Sequence, residues 1–312
     1  GITVLHPIES CTGKDCVITH PDGTKQTEQF PVAISPLQPF FSISSMAWSP
    51  AQGIEATINF EGELFETEDQ RNWLDASYKT YCTPLSIPFP VAVNAGDEVN
   101  QSLQLQVNSH GSKSFVSAKP ITFTLDDKKR FPFPKLGIPL SRQPHSDEIV
   151  DRIKALQVDF LRVEVNVSDP GSAGILQQAG EIVSKLNCQL EVVLFVDENI
   201  PDDFIQLLLA LSKYLLEFIV LPVKAKSADA KLIRQIVPHL RKHFPDKKIG
   251  SGTDAFFTEL NRSRTPPEEL DFLTFSVNPQ VHAFDVRTMT ENLQGHRYVV
   301  ESCREFAGGK AI

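Results

Sequence analysis

Near Arg130 the hydrophobic pattern of this chain changes period, and that change limits the possible fold more than any single motif does. Before it, short runs alternate apolar and polar residues: Cys16–Thr19, then Lys25–Thr27 after the turn His20-Pro21-Asp22-Gly23, then Ile54–Phe60, Leu103–Val107 and Ile121–Leu125. Alternation at period two buries one face of a strand and wets the other. Many such strands between Pro and Gly breaks predict an antiparallel β-sandwich over residues 1–130. The charged run Asp126–Arg130 and Phe131-Pro132-Phe133-Pro134 then form a stiff connector, because each Pro drives the residue before it out of the α region.

Beyond the connector, β-branched runs alternate with helical patterns, the signature of βα units around a parallel sheet. Leu136–Leu140 precedes a helix capped near Ser146-Asp147, and Phe160–Val165 precedes one through Ile175, Ile182 and Leu186. Leu190–Val196 leads to Phe204–Leu216, Phe218–Val223 to Ala230–His243, Lys248–Gly252 to a short helix, and Phe272–Val277 to Met289–Phe306. Lys310–Ile312 begins a seventh strand. These units predict a (β/α)8 TIM-type barrel over residues 131–312, truncated after its seventh strand begins. A closed barrel needs eight strands, so sequence beyond Ile312 is expected. No GxGxxG or GxxxxGK[ST] follows a strand, which disfavours a dinucleotide-binding sheet or a nucleotide site.

The 312 residues carry a formal charge of -9. That balance argues against nucleic acid or an anionic membrane as partner. The longest apolar runs, Phe204–Leu211 and Phe218–Pro222, fall well below the roughly 20 residues that span a bilayer. The start at Gly1, without Met, reads as processed or engineered. Five cysteines, Cys11, Cys16, Cys82, Cys188 and Cys303, are scattered and odd in number, which fits a reducing compartment, most naturally the cytoplasm. They form no cluster with His at zinc spacing, and His239 and His243 lack the intervening Glu of a metalloprotease helix. No cofactor is predicted, metal-assisted hydrolysis stays open, and the oligomeric state is not legible.

Barrel sites form at the C-terminal ends of strands. In Phe160–Val165 the apolar parity of Leu161, Val163 and Val165 turns Arg162, Glu164 and Asn166 into the lumen, either as an internal ionic network or as a site. In the sixth unit Thr274, Ser276 and Asn278 face inward, and the strand exits into Asn278-Pro279-Gln280-Val281-His282-Ala283-Phe284-Asp285. His282 suits acid–base work because imidazole titrates near neutrality, while Asn278 and Gln280 can hold hydroxyls; otherwise Asp285 caps the next helix and His282 serves loop carbonyls. After the fifth strand, Glu259 and Asn261 supply an acid and an amide, or simply open a short helix. No GxSxG elbow is present, which disfavours a serine esterase. In the β-region, Phe65–Tyr81 concentrates acids, cations, amides and aromatics, and reads as a binding surface or a long surface hairpin with a salt-bridged tip.

Three stretches, Phe60–Trp73, Phe256–Arg262 and Asn278–Asp285, together resemble the D-apionolactonase (D-apionate lactonase) family of apiose catabolism. The resemblance covers the β-domain and the barrel up to Ile312, and it implies a longer protein completing the barrel and adding a C-terminal β-domain. It also implies likeness in architecture to clan-A glycoside hydrolases, whose carboxylates act at barrel strand ends. The implied reaction is hydrolysis of a sugar lactone, D-apionolactone, to its aldonic acid. On that reading Glu164 or Glu259 is the base, Arg162, Asn261 or Asn278 stabilises the oxyanion, and His282 is an acid or hydroxyl clamp with Gln280 on the substrate. Asp69, Arg71, Asn72, Trp73 and Asp75 then form a substrate wall or interdomain clamp, with contacts to the barrel segment. A retaining glycosidase and a non-catalytic carbohydrate-binding protein remain the alternatives.

Overall fold

The structure, a computed structural model, describes residues 1–110, 122–124, 126, 128, 130 and 132–312. In chain order the elements are β1 (Thr3–Pro7), α1 (Ile8–Cys11), β2 (Asp15–Thr19), β3 (Lys25–Gln29), β4 (Phe40–Ile43), β5 (Ser45–Ala51), β6 (Ile54–Glu61) and β7 (Phe65–Asp69). A 3-10 turn (Gln70–Trp73), β8 (Ser77–Tyr81) and β9 (Ser102–Ser109) follow. Then come β10 (Gly137–Pro139), α2 (Asp147–Leu156), β11 (Phe160–Asn166), α3 (Ser172–Leu186), β12 (Gln189–Val196), α4 (Asp202–Ala210), β13 (Leu215–Pro222) and α5 (Ala230–His243). The last are β14 (Lys248–Phe256), α6 (Phe257–Arg262), β15 (Phe272–Ser276) and α7 (Val286–Phe306). Two compact units result: Gly1–Ser117 with Val277–Cys303, and Ala118–Ser276 with Arg304–Ile312.

The first unit holds two antiparallel sheets, ordered β1-β8-β7-β4 and β3-β2-β5-β6-β9. Period-two alternation decides which faces are buried: in β6, Ala56, Ile58 and Phe60 are buried while Glu55, Thr57 and Asn59 are not. Both sheets feed one core, with Ile18, Met46, Ile58 and Phe60 from one and Phe40, Ile43, Phe65 and Tyr78 from the other. Phe60 stacks on Phe65 at 4.3 Å, and each such fully buried side chain stabilises the unit by roughly 1.5–3 kcal/mol. The turn after β2 closes as expected, with Gly23 at a φ of 83° and His20 donating its N–H to the Thr24 carbonyl. Of the strand expected over residues 121–125, residues 121 and 125 lie outside the described residues, as do residues 127, 129 and 131 of the charged run and connector.

The polar-aromatic run is not a surface hairpin. It forms β7, the 3-10 turn and β8, paired through Glu66↔Tyr81 to Asp69↔Tyr78, and it is largely buried. Its hydrophobic signal is hidden because polar groups, among them Thr67, Asp69, Arg71 and Thr80, occupy core-facing positions.

In the second unit β10 to β15 pair in sequence order, all parallel, giving half of a barrel. Ala311 adds a parallel bridge to Phe272. Leu161, Val163 and Val165 are at most 1% exposed, and α3 packs against their strand. α2 opens on Ser146, whose side chain accepts from Ile149 N as the cap expected near Ser146-Asp147, and Asp229 accepts from Leu232 N at 2.8 Å to open α5. Its Leu232, Ile233, Ile236, Val237 and Leu240 then make one buried stripe. Several boundaries differ from those the sequence predicts, and two have a clear cause. α4 stops at Ala210, not Leu216, because pairing to β12 captures Leu215 into β13, where it is buried. α7 starts at Val286, not Met289, because Asp285 Oδ1 accepts from Thr288 N at 2.9 Å. Among the described residues, no helix is long and apolar enough to cross a membrane.

Candidate functional site

Within the polar-aromatic run, side chains of similar chemistry are placed in two different ways. Asp69 and Arg71 form an ion pair at 2.7 Å with both side chains fully buried. Arg71 also donates to the carbonyls of Pro31 at 2.7 Å and Val32 at 3.0 Å, and its guanidinium lies 4.8 Å from the ring centres of both Tyr78 and Tyr298. Asp69 accepts in addition from Ser35 N and Arg71 N. Asn72 Nδ2 donates to the Ser35 carbonyl at 2.6 Å and to that of Asp69. These groups, expected on a substrate wall, are directed into the protein and bonded there.

Asp75 lies just past the 3-10 turn and reaches the segment after β15. Its Oδ2 is 2.5 Å from His282 Nδ1, and its Oδ1 accepts from Asn292 Nδ2 at 3.2 Å. The Asp75 side chain is 10% exposed while the imidazole is half exposed. Burial pushes the Asp75 carboxyl above its usual range, opposed by the bonds from His282 and Asn292. The Trp73 indole stands edge-on to the His282 ring at 6.4 Å, and its Nε1 donates to Glu68. The pair opens on a cleft of about 610 Å³, whose walls include Glu9, Gln70, Ser77, Arg287 and Glu291.

With Nδ1 held by a carboxylate, the second nitrogen of His282 is the one left to trade protons with a bound molecule. An imidazole oriented by a buried carboxylate is suited to general acid–base catalysis. Asn278 and Gln280 lie in the same loop but are exposed: Asn278 Oδ1 accepts from Gln280 N at 2.9 Å, and the Gln280 amide meets Met289 Sδ.

The barrel-strand candidates form a separate group. Arg162 donates to Glu164 at 3.0 Å and to Glu191 at 3.4 Å. Burial and the neighbouring Glu217, against the pull of Arg162, push the Glu191 carboxyl up to about 7. Arg162, Glu191, Glu217 and Lys248 stand opposite one another in the register, near the N-terminal starts of their strands, at the end away from where barrel sites form. Glu259 is half-buried on the short α6, its carbonyl accepting from Ser263 N, and Asn261 is 3% exposed on the same helix. No hydrogen bond joins Glu164 to Glu259 among the described residues. Nor do three or more His, Cys, Asp or Glu residues there gather as a metal site.

Sequence reading missed Asn292. The available signal was a pair of poor helix formers, Asn292 and Gly295, three residues apart inside a helical pattern and therefore on one face.

A family model described as D-apionate lactonase, N-terminal domain, matches residues 1–110, and one described as D-apionate lactonase, TIM barrel domain, matches residues 135–312. A curated D-apionate lactonase of Brucella anthropi is 26% identical over 328 residues, covering 99% of this chain and 54% of that protein. The chain thus spans about half the length of the curated relative it matches. No solved structure matches it. The two family models follow one another in order, and the second alone covers more than half of the sequence: the chain belongs to the D-apionate lactonase family.

Proposed function

We propose that the protein is a hydrolase of carbohydrate catabolism that opens a sugar lactone to its aldonic acid, D-apionolactone to D-apionate. Its family membership and the name of its Brucella relative support the reaction class. The observation that carries the mechanism is the Asp75–His282 pair at the wall of the cleft. His282 takes a proton from water as the water oxygen bonds to the lactone carbonyl carbon. The tetrahedral oxyanion then collapses, the ring C–O bond breaks, and the imidazolium returns the proton to the departing alkoxide. Asp75 stabilises the imidazolium between these steps. Gln70 and Ser77, themselves bonded at 2.9 Å, are placed on the cleft wall to meet sugar hydroxyls.

In the fuller architecture the first unit is a β-sandwich and the second part of a closed eight-stranded barrel. Glu164 and Glu259 are the alternative proton acceptors, with Arg162, Asn261 or Asn278 facing the oxyanion. Five free thiols favour a reducing, cytoplasmic setting. A retaining glycosidase needs two carboxylates free to act on one bond, whereas Glu164 and Glu191 converge on Arg162 instead.

The test is acid release from D-apionolactone by the purified protein and by His282→Gln, Glu164→Gln and Glu259→Gln. The expected result is a loss of about 10²–10⁴-fold for His282→Gln. A comparable loss in either Glu variant with His282→Gln unimpaired would move the base to that glutamate, Glu164 on β11 or Glu259 on α6.

A further inference from the structure

The amide of Asn292 joins three separate pieces of the candidate site. One Nδ2 hydrogen goes to Asp75 Oδ1 at 3.2 Å and the other to the Pro279 carbonyl at 3.0 Å, while Oδ1 accepts from Ala76 N at 3.0 Å. The residue is 4% exposed, so these partners replace water and cannot be exchanged for it cheaply. With His282 on the other carboxylate oxygen, both oxygens of Asp75 are fixed. The bond to Pro279 holds the loop three residues before His282, so the acid and the ring are tied to the same side chain. One turn along α7, Gly295 lets the helix close on the turn: a Cβ there would stand 3.1 Å from the Leu74 carbonyl oxygen. A carboxylate at position 292 could not donate both bonds, and an apolar isostere could make none.

We propose that Asn292 is the positioning residue of the Asp75–His282 pair, holding the carboxylate and the His282 loop in one geometry. The proposal rests on the lactonase reading only for its kinetic readout. The charged groups around the pair are Lys79 on β8, Glu9 on α1, and Arg287 and Glu291 on α7, and none of the variants below alters them.

The experiment follows the His282 imidazole by NMR across pH in the intact protein, its resonance assigned among the eight histidines by loss in His282→Gln. Asn292→Ala removes a donor from Asp75, so less carboxylate is ionised and the imidazole midpoint falls by about half a pH unit. Asn292→Asp adds a negative charge, and the midpoint rises by on the order of half a unit or more. In both, kcat falls about tenfold to a hundredfold with KM little changed, the range typical of groups that orient a reacting side chain. Gly295→Ala keeps every polar group and improves helix propensity, yet shifts the midpoint the same way as Asn292→Ala by lengthening the same bonds. That variant decides the matter if Asn292→Ala does not fold. Opposite shifts in the Ala and Asp variants are expected. Loss of melting temperature with an unmoved His282 midpoint in folded variants would overturn the proposal, leaving Asn292 a scaffold residue. If lactone turnover survives His282→Gln, the functional reading fails, while the NMR shifts still decide the role of Asn292.

Discussion

The aspartates of Asp69–Arg71 and Asp75–His282 stand a few residues apart around one turn, each paired with a cationic or ionisable partner, and on the proposed reading the two pairs serve opposite purposes. In the first pair both side chains are fully buried and the guanidinium is bonded to Asp69, Pro31 and Val32 between two tyrosine rings. In the second the carboxylate is buried but the ring it holds is half exposed on a cleft. Residue type does not separate architecture from chemistry here. What separates them is whether one polar atom of the network is left facing a space large enough for a ligand.

The contrast can be broken in order of expected effect. Asp75→Asn and His282→Gln should each lower lactone turnover by about 10²–10⁴-fold while the melting temperature moves little, read by steady-state kinetics and calorimetry. Arg71→Met should do the reverse. Leaving Asp69 buried without its partner costs about 3–5 kcal/mol, measured by urea unfolding, with kcat per folded molecule unchanged. A turnover defect in a fully folded Arg71→Met protein would erase the distinction between the two pairs.

The barrel strands supply an intermediate case. Glu191 has its pKa raised to about 7, above the value near 4.5 of the free acid, so the folded state binds more protons than the unfolded one between those values. Stability therefore declines as pH rises through that window, by on the order of 3 kcal/mol, and the loss is complete above the folded pKa. Glu191→Gln should flatten the decline in a pH series of unfolding curves. The smallest expected effect belongs to Gly295→Ala, where gain in helix propensity opposes the closer contact with Leu74, leaving net stability within about 1 kcal/mol of the parent.

Much of the fold was legible. Period-two runs marked β2, β6 and β9, and the helical pattern over Ala230–His243 marked α5, because each is a local pattern with one structural solution. The helix expected over Phe204–Leu216 overran at its C-terminal end because Leu215 and Leu216 suit a buried helix and a buried strand equally well, and only pairing to β12 assigns Leu215 to the sheet. Of the candidate site, His282 and Asp75 were each singled out, but their pairing spans more than two hundred residues and leaves no local trace. Arg71 was placed on a substrate wall or interdomain clamp because nothing local tells a buried, hydrogen-bonded arginine from an exposed one. Asn292 escaped for the complementary reason: an amide in a helix carries no chemical signature until its three partners converge.

A crystal structure with D-apionate bound would test the central claim most directly. The account predicts the product carboxylate in the cleft of Gln70, Ser77 and Asp75, with one oxygen about 2.7–3.2 Å from His282 Nε2. Product bound against Glu164 or Glu259, with His282 Nε2 in contact only with solvent, would contradict it.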